Sequence, residues 1–186
     1  MIEFVHHAFG FVCGQPVGRT WPLDGEWLPF CQRCTGIYIG AIVALALQLA
    51  FRIRSGSRLL VVHGFLLLQI APFGLHIIPD TGILRTITGM AFSFGLIGFL
   101  WLLPQEHLNL SRSPSASALW RFTILALFSA LGVILAVTRG GTKTAFALSL
   151  LGLLGLCVLL LLSLVNLGLL ASSLLNWLRI ERLHIQ

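Results

Sequence analysis

Charge is what this chain has least of. Only 10% of its 186 residues are Asp, Glu, Lys or Arg, and just 6 of them are acidic. Soluble domains carry about 25%. With 57% hydrophobic residues and a mean hydropathy of +0.95, a water-soluble fold would have too little polar surface to cover so much apolar side chain. The natural solvent is therefore a bilayer, and a soluble globular domain is excluded. Clustered basic charge is missing as well. The formal net charge is +6 and the pI near 10.1, yet Lys and Arg stand singly or in small groups between apolar runs. That is the pattern of loops flanking membrane spans, and no nucleic-acid partner is expected. Cysteine is scarce too: 4 in all, three of them in the first 34 residues, which is no secreted disulfide framework. There is no internal repeat, no cofactor motif and no P-loop spacing. Met1–Gly10 carries Glu3, His6 and His7 and lacks the pattern of a cleavable signal peptide, so insertion is expected to rely on the internal spans.

What is present divides into an irregular head and about five apolar runs. Residues 1–35 hold Gly10, Gly14, Pro16, Gly18, Pro22, Gly25 and Pro29, which break any long helix, so this stretch reads as a cap over one mouth of a bundle. Met1–Val12 is expected as a short interfacial helix, with Trp21 and Trp27 in the aromatic belt. The bundle follows over 36–186, with spans at about 36–53, 59–78, 83–103, 118–138 and 145–178. The fold class is thus all-α, a polytopic transmembrane helical bundle with a cysteine-containing cap. Gly36, Gly40 and Ala44 repeat every four residues and let a second helix approach closely, and Gln48 continues the stripe. Pro72 should kink the second span. The last run exceeds the roughly 20 residues a span needs and reads as one long or tilted helix, Asn166–Gly168 being the weak candidate for a turn. With five spans the Lys and Arg count is five on the N-terminal side and seven on the other. The positive-inside rule then places the N-terminus outside the cell membrane.

Chemistry gathers at one mouth under this topology. Cys31-x-x-Cys34 is the spacing with which a turn offers two thiolates to one tetrahedral ion, and Cys13 can supply a third. His6, His7 or His76 would complete a Cys₃His set for zinc. Asp80, Arg85 and Arg139 share the same mouth and are the candidate catalytic groups, because ionisable residues at membrane depth are costly to keep. If the ion held water at an open position, its target would be a lipid-like or small-molecule ester or phosphate. Two other chemistries stay open. Cys34 at a helix N-terminus beside Arg33 suits thiol–disulfide exchange with Cys31. A transporter or assembly factor with a structural cysteine cap is the non-enzymatic reading. Cys157 reads as a packing residue. His63 reads as an interface residue, and Arg139 with Lys143 as contacts for lipid headgroups.

Cys13-x-Gln15, Arg19 and Pro29-x-Cys31-x-Arg33-Cys34-Thr35-Gly36-x-Tyr38-x-Gly40 resemble the signature of a prokaryotic family of small membrane proteins of unknown function. That family is marked by C-H-Q followed by C-x-R-C-T-G-x-Y-x-G. Arg85-x-x-Thr88-Gly89 is similar to its second block, R-x-x-T-G. The resemblance covers residues 13–40 closely and 80–95 loosely. It implies a multi-pass membrane protein with a cysteine-rich head and brings no established activity. Here Gly14 stands where the family has histidine. If that histidine is a ligand, His6 or His7 must replace it, or three thiolates and another donor hold the ion.

Overall fold

Asp24 and Gly25 turn the head back on itself. Both sit in the left-handed region, at φ 53° and 85°, which is what a two-residue hairpin turn demands if its twist is to match that of the strands. In the computed structural model, which describes residues 7, 9–15, 18–53, 57–69, 71–72, 81–110 and 116–184, this turn joins β1 (Thr20–Leu23) to β2 (Glu26–Cys31). The strands are antiparallel, pairing Leu23 with Glu26, Pro22 with Trp27 and Thr20 with Cys31, with an irregularity between Thr20 and Pro22. Leu23, Leu28 and Phe30 turn inward and are buried. The head is therefore more ordered than its glycines and prolines foretell, because apolar residues bracket an Asp-Gly pair.

Among the described residues the main helices are α1 (Gln32–Phe51), α2 (Ser57–Leu68), α3 (Gly82–Leu100), α4 (Leu102–His107), α5 (Ala116–Arg139) and α6 (Thr142–His184). Four of them, α1, α3, α5 and α6, are long and apolar enough to cross a membrane, and α2 carries a shorter apolar run, Leu59–Leu68. The protein is thus an all-α polytopic bundle with a small two-stranded head. The expected second span continues past α2 into residues 73–80, which lie outside the described residues. Helix α1 begins at Gln32, four residues before the expected boundary, because Cys31 caps it. Helix α4 occupies the start of the stretch expected to be a loop after Leu103. Helix α6 runs unbroken through Asn166–Gly168 for 43 residues, about 64 Å at 1.5 Å per residue, or twice the roughly 30 Å hydrocarbon core.

Small residues set the packing. A Cβ on Gly36 would overlap the Thr86 carbonyl oxygen and stand 2.7 Å from the Met90 nitrogen, and one on Gly89 would overlap the Arg33 carbonyl. The α1 and α3 backbones therefore touch, as the Gly36–Gly40–Ala44 stripe leads one to expect. Gly36 meets Thr86 and Met90 while Gly40 meets Met90 and Ser93, so the two helices run parallel, and α2 packs on α3 where Gly95 and Gly98 meet His63 and Leu66. Helix α6 packs alongside through Gly152 on the Phe30 ring and Gly155 on the Tyr38 backbone. His63 of α2 is buried rather than interfacial: its ring fills the space Gly98 leaves, with Nδ1 2.7 Å from the Leu59 carbonyl. Asn166 has a backbone task. Pro104 has no N–H to give the Leu100 carbonyl four residues back, and Asn166 Nδ2 donates to that carbonyl instead, at 2.7 Å. Many side chains of α5 and α6 face outward, among them Leu127, Phe128, Leu161 and Leu164, and this is the surface that lipid wets.

Candidate metal centre

Three short elements meet over the first turn of α1. The segment before the hairpin turns at Phe9, whose carbonyl accepts from the Val12 and Cys13 amides at 3.1 and 2.8 Å. Phe9 is fully buried against Phe30, ring centroids 4.7 Å apart, and this packing carries Cys13 inward. Gln15, in a left-handed conformation at φ 39°, ties the same segment to β2 by donating to the Pro29 carbonyl at 2.6 Å. Cys31 ends β2 and is the N-cap of α1, and Cys34 lies in the first turn of that helix. The three sulfurs lie within 4.8 Å of one another. Thiolates on one tetrahedral ion each lie about 2.3 Å from it, so an ion here would draw the sulfurs closer together.

The backbone around these sulfurs is arranged for negative charge. The Cys31 amide donates to Cys13 Sγ at 3.3 Å and the Cys34 amide to Cys31 Sγ at 3.5 Å. Amides aimed at a sulfur favour its thiolate, as does the positive end of a helix. The thiols also act on one another. The Cys31 thiol, and after it that of Cys34, hydrogen-bonds to Cys13 and draws it far below the usual thiol range. Cys31 moves upward, chiefly through the same bond to Cys13. All four cysteines of the chain are free thiols.

A web of hydrogen bonds fixes the start of α1 beneath the sulfurs. Gln32 is buried; its amide donates to the Arg19 carbonyl at 2.8 Å and its side-chain Nε2 to the Thr20 carbonyl at 3.4 Å. Arg85 donates to Gln32 Oε1 at 3.3 Å. Thr86, fully buried, donates its hydroxyl toward the Gln32 carbonyl at 2.9 Å and accepts from the Trp21 indole N–H at 3.1 Å. The second motif block is thus a docking surface for the first. Trp21 is half-buried and belongs to this web, while Trp27 is exposed.

The candidates named from the sequence separate accordingly. Cys13, Cys31 and Cys34 come together. His7 does not join them: it is exposed, its ring set edge-on to Phe11 at 5.3 Å. His6, His76 and Asp80 lie outside the described residues. Arg85 braces Gln32, and Arg139 is exposed in the last turn of α5. The turn after Arg139 meets a carboxylate of this chain, for Thr142 Oγ1 donates to Asp24 Oδ2 at 3.3 Å. The hairpin tip is thereby pinned to the start of α6. Sequence reasoning passed over Gln32, Thr86 and Asp24. Only Asp24 carried a readable local signal, its place in an Asp-Gly pair between apolar residues.

Residues 13–99 match the model of a family described as Predicted membrane protein (DUF2085). An uncharacterized protein of Methanothermobacter thermautotrophicus (strain Delta H) is 46% identical over 33 residues, which is 18% of this chain and 30% of that protein. The chain thus matches under a third of this relative's length. No solved structure matches.

Proposed function

We propose that this multi-pass membrane protein holds a soft divalent ion, zinc being the reference case, on the thiolates of Cys13, Cys31 and Cys34. The observation that carries the reading is the meeting of three sulfurs within 4.8 Å, drawn from a turn, a strand end and a helix start. Backbone amides aimed at two of those sulfurs support it. Soft thiolates select zinc, copper(I) and similar ions over hard cations. A fourth donor, or a water, would complete a tetrahedral set, and His6 or His76 remains a candidate for it. Elemental analysis of protein purified in detergent tests the proposal. About one ion per chain is expected; metal at background with all three thiols free overturns it.

A second reading is favoured by the half-exposed positions of Cys31 and Cys34 at the head of α1. The pair would cycle between dithiol and disulfide by exchange with an external protein disulfide, which takes up the two electrons and two protons, with Cys13 near enough to exchange. Differential alkylation in whole cells separates the two readings. A reversible Cys31–Cys34 disulfide supports the redox role, and a fully reduced pair under all growth conditions removes it.

A further inference from the structure

Cys13 is buried, whereas Cys31 and Cys34 are half-buried and reach the surface. An ion held by all three sulfurs therefore sits at the boundary of the head, covered on the Cys13 side and facing outward on the other. Three thiolates leave one corner of a tetrahedron to fill. Among the described residues no histidine or carboxylate joins the three sulfurs. The charge around them is of one sign. Arg33 lies between Cys31 and Cys34 at the start of α1. Arg85 is carried to that turn by its bond to Gln32 Oε1, and Arg19 by the bond from the Gln32 amide to its carbonyl. The positive end of α1 adds to them. Among the described residues the acids of the head are Asp24 and Glu26, at the hairpin tip. The tip is the length of β2 away from Cys31, about 16 Å.

We propose that the centre is open: its fourth position, on the exposed side of Cys31 and Cys34, takes the thiolate of an external molecule. The inference rests on the metal reading above. Three thiolates already exceed the charge of a divalent ion by one, and a fourth raises the excess to two. Arg19, Arg33, Arg85 and the α1 terminus offset that excess, so an anionic donor is preferred to a neutral one such as imidazole. The softness of the three protein ligands favours sulfur over carboxylate. Binding breaks the S–H bond of the incoming thiol. Its proton goes to solvent, its sulfur bonds to the ion and a water leaves, with no change of oxidation state. An ion with one exchangeable ligand can pass to a thiol-bearing acceptor, whereas four protein ligands close a structural site.

The test is a thiol titration of the full-length protein in detergent, loaded with cobalt(II), with 2-mercaptoethanol as the probe. Before addition the thiolate-to-cobalt charge-transfer band is expected with the intensity of three sulfurs. On addition it should rise saturably toward that of four, with cobalt retained on the protein. Arg33→Gln should keep the starting band and bind the thiol about fivefold or more weakly, while its affinity for imidazole stays native. A band indifferent to excess thiol, as it would be with His6 or His76 as fourth donor, overturns the proposal and leaves the metal reading standing. Cobalt stripped from the protein by the thiol overturns it too. No charge-transfer band in the native protein removes the metal reading, and this inference with it. Should Arg33→Gln fail to fold, salt dependence of the native protein carries the test. Affinity for the thiol should fall between about 0.05 and about 0.5 M salt while that for imidazole holds; a thiol affinity indifferent to salt overturns the proposal.

Discussion

At the scale of single residues, each cysteine of the head has a structural task before any ion arrives. Cys31 caps a helix, Cys13 receives an amide, and Cys34 lies in the first helical turn. Serine can imitate a cap but not a soft ligand. Cys31→Ser, Cys34→Ser and Cys13→Ser should therefore each fold while retaining well under half of the native metal content by elemental analysis. Cys157→Ser, exposed midway along α6, should leave that content unchanged. Thr86 makes a different kind of prediction. Its buried hydroxyl serves Trp21, Gln32 and Gly82, so Thr86→Val should cost about 1–3 kcal/mol, seen as a lower thermal midpoint in detergent. The sequence disclosed the three cysteines because C-x-x-C is a local pattern with a chemical meaning. It did not disclose Thr86, whose partners are made by packing between elements distant along the chain. Thr86 to Gln32 spans 54 residues, and no spacing rule reaches across that.

Among elements, the approach of α1 to α3 and the seam between α3 and α6 are the contacts to test. Gly36→Ala forces a Cβ into the α3 backbone and should destabilise the bundle by about 1–3 kcal/mol. Gly132→Ala on α5 meets open space and should be neutral or slightly stabilising; thermal unfolding of the pair checks both. Asn166→Leu leaves the Leu100 carbonyl without its donor, a loss of about 1–3 kcal/mol. Pro104→Ala restores an amide where α3 runs on into α4, so the double variant should recover much of that loss. Additive losses would show that Asn166 does not stand in for the missing N–H. Helix content was readable from apolar runs, and the ends of α3 and α5 fell within three residues of expectation, whereas α6 runs on to His184, six residues past it. The hairpin was not read, although Asp24-Gly25 between apolar residues is a strong turn signal. The surrounding glycines and prolines masked it, since they break helices without forbidding strands.

On the scale of the whole molecule, the sulfur centre and Cys157 report on different solvents. The centre lies at the head, partly open, whereas Cys157 sits in the apolar middle of α6. A water-soluble, membrane-impermeant maleimide should label metal-stripped Cys31 and Cys34 from one side of the membrane only and leave Cys157 unlabelled. A lipid-soluble maleimide should reach Cys157. Labelling of the head from the outside would fix the N-terminal side; labelling only in inverted vesicles would reverse it.

The head is moored to the helices by a few separate ties: Trp21 to Thr86, Asp24 to Thr142, and Phe30 seated on Gly152. Such a unit can lift while the long helices stay in place, in the manner of a local opening below the free energy of global unfolding. An ion on Cys13, Cys31 and Cys34 would clasp both ends of the hairpin to the bundle and suppress that excursion. Amide exchange at Leu28 and Phe30 would then slow on metal loading while exchange in the middle of α3 stayed as it was, so that the ligand acts as a latch on one part of the molecule.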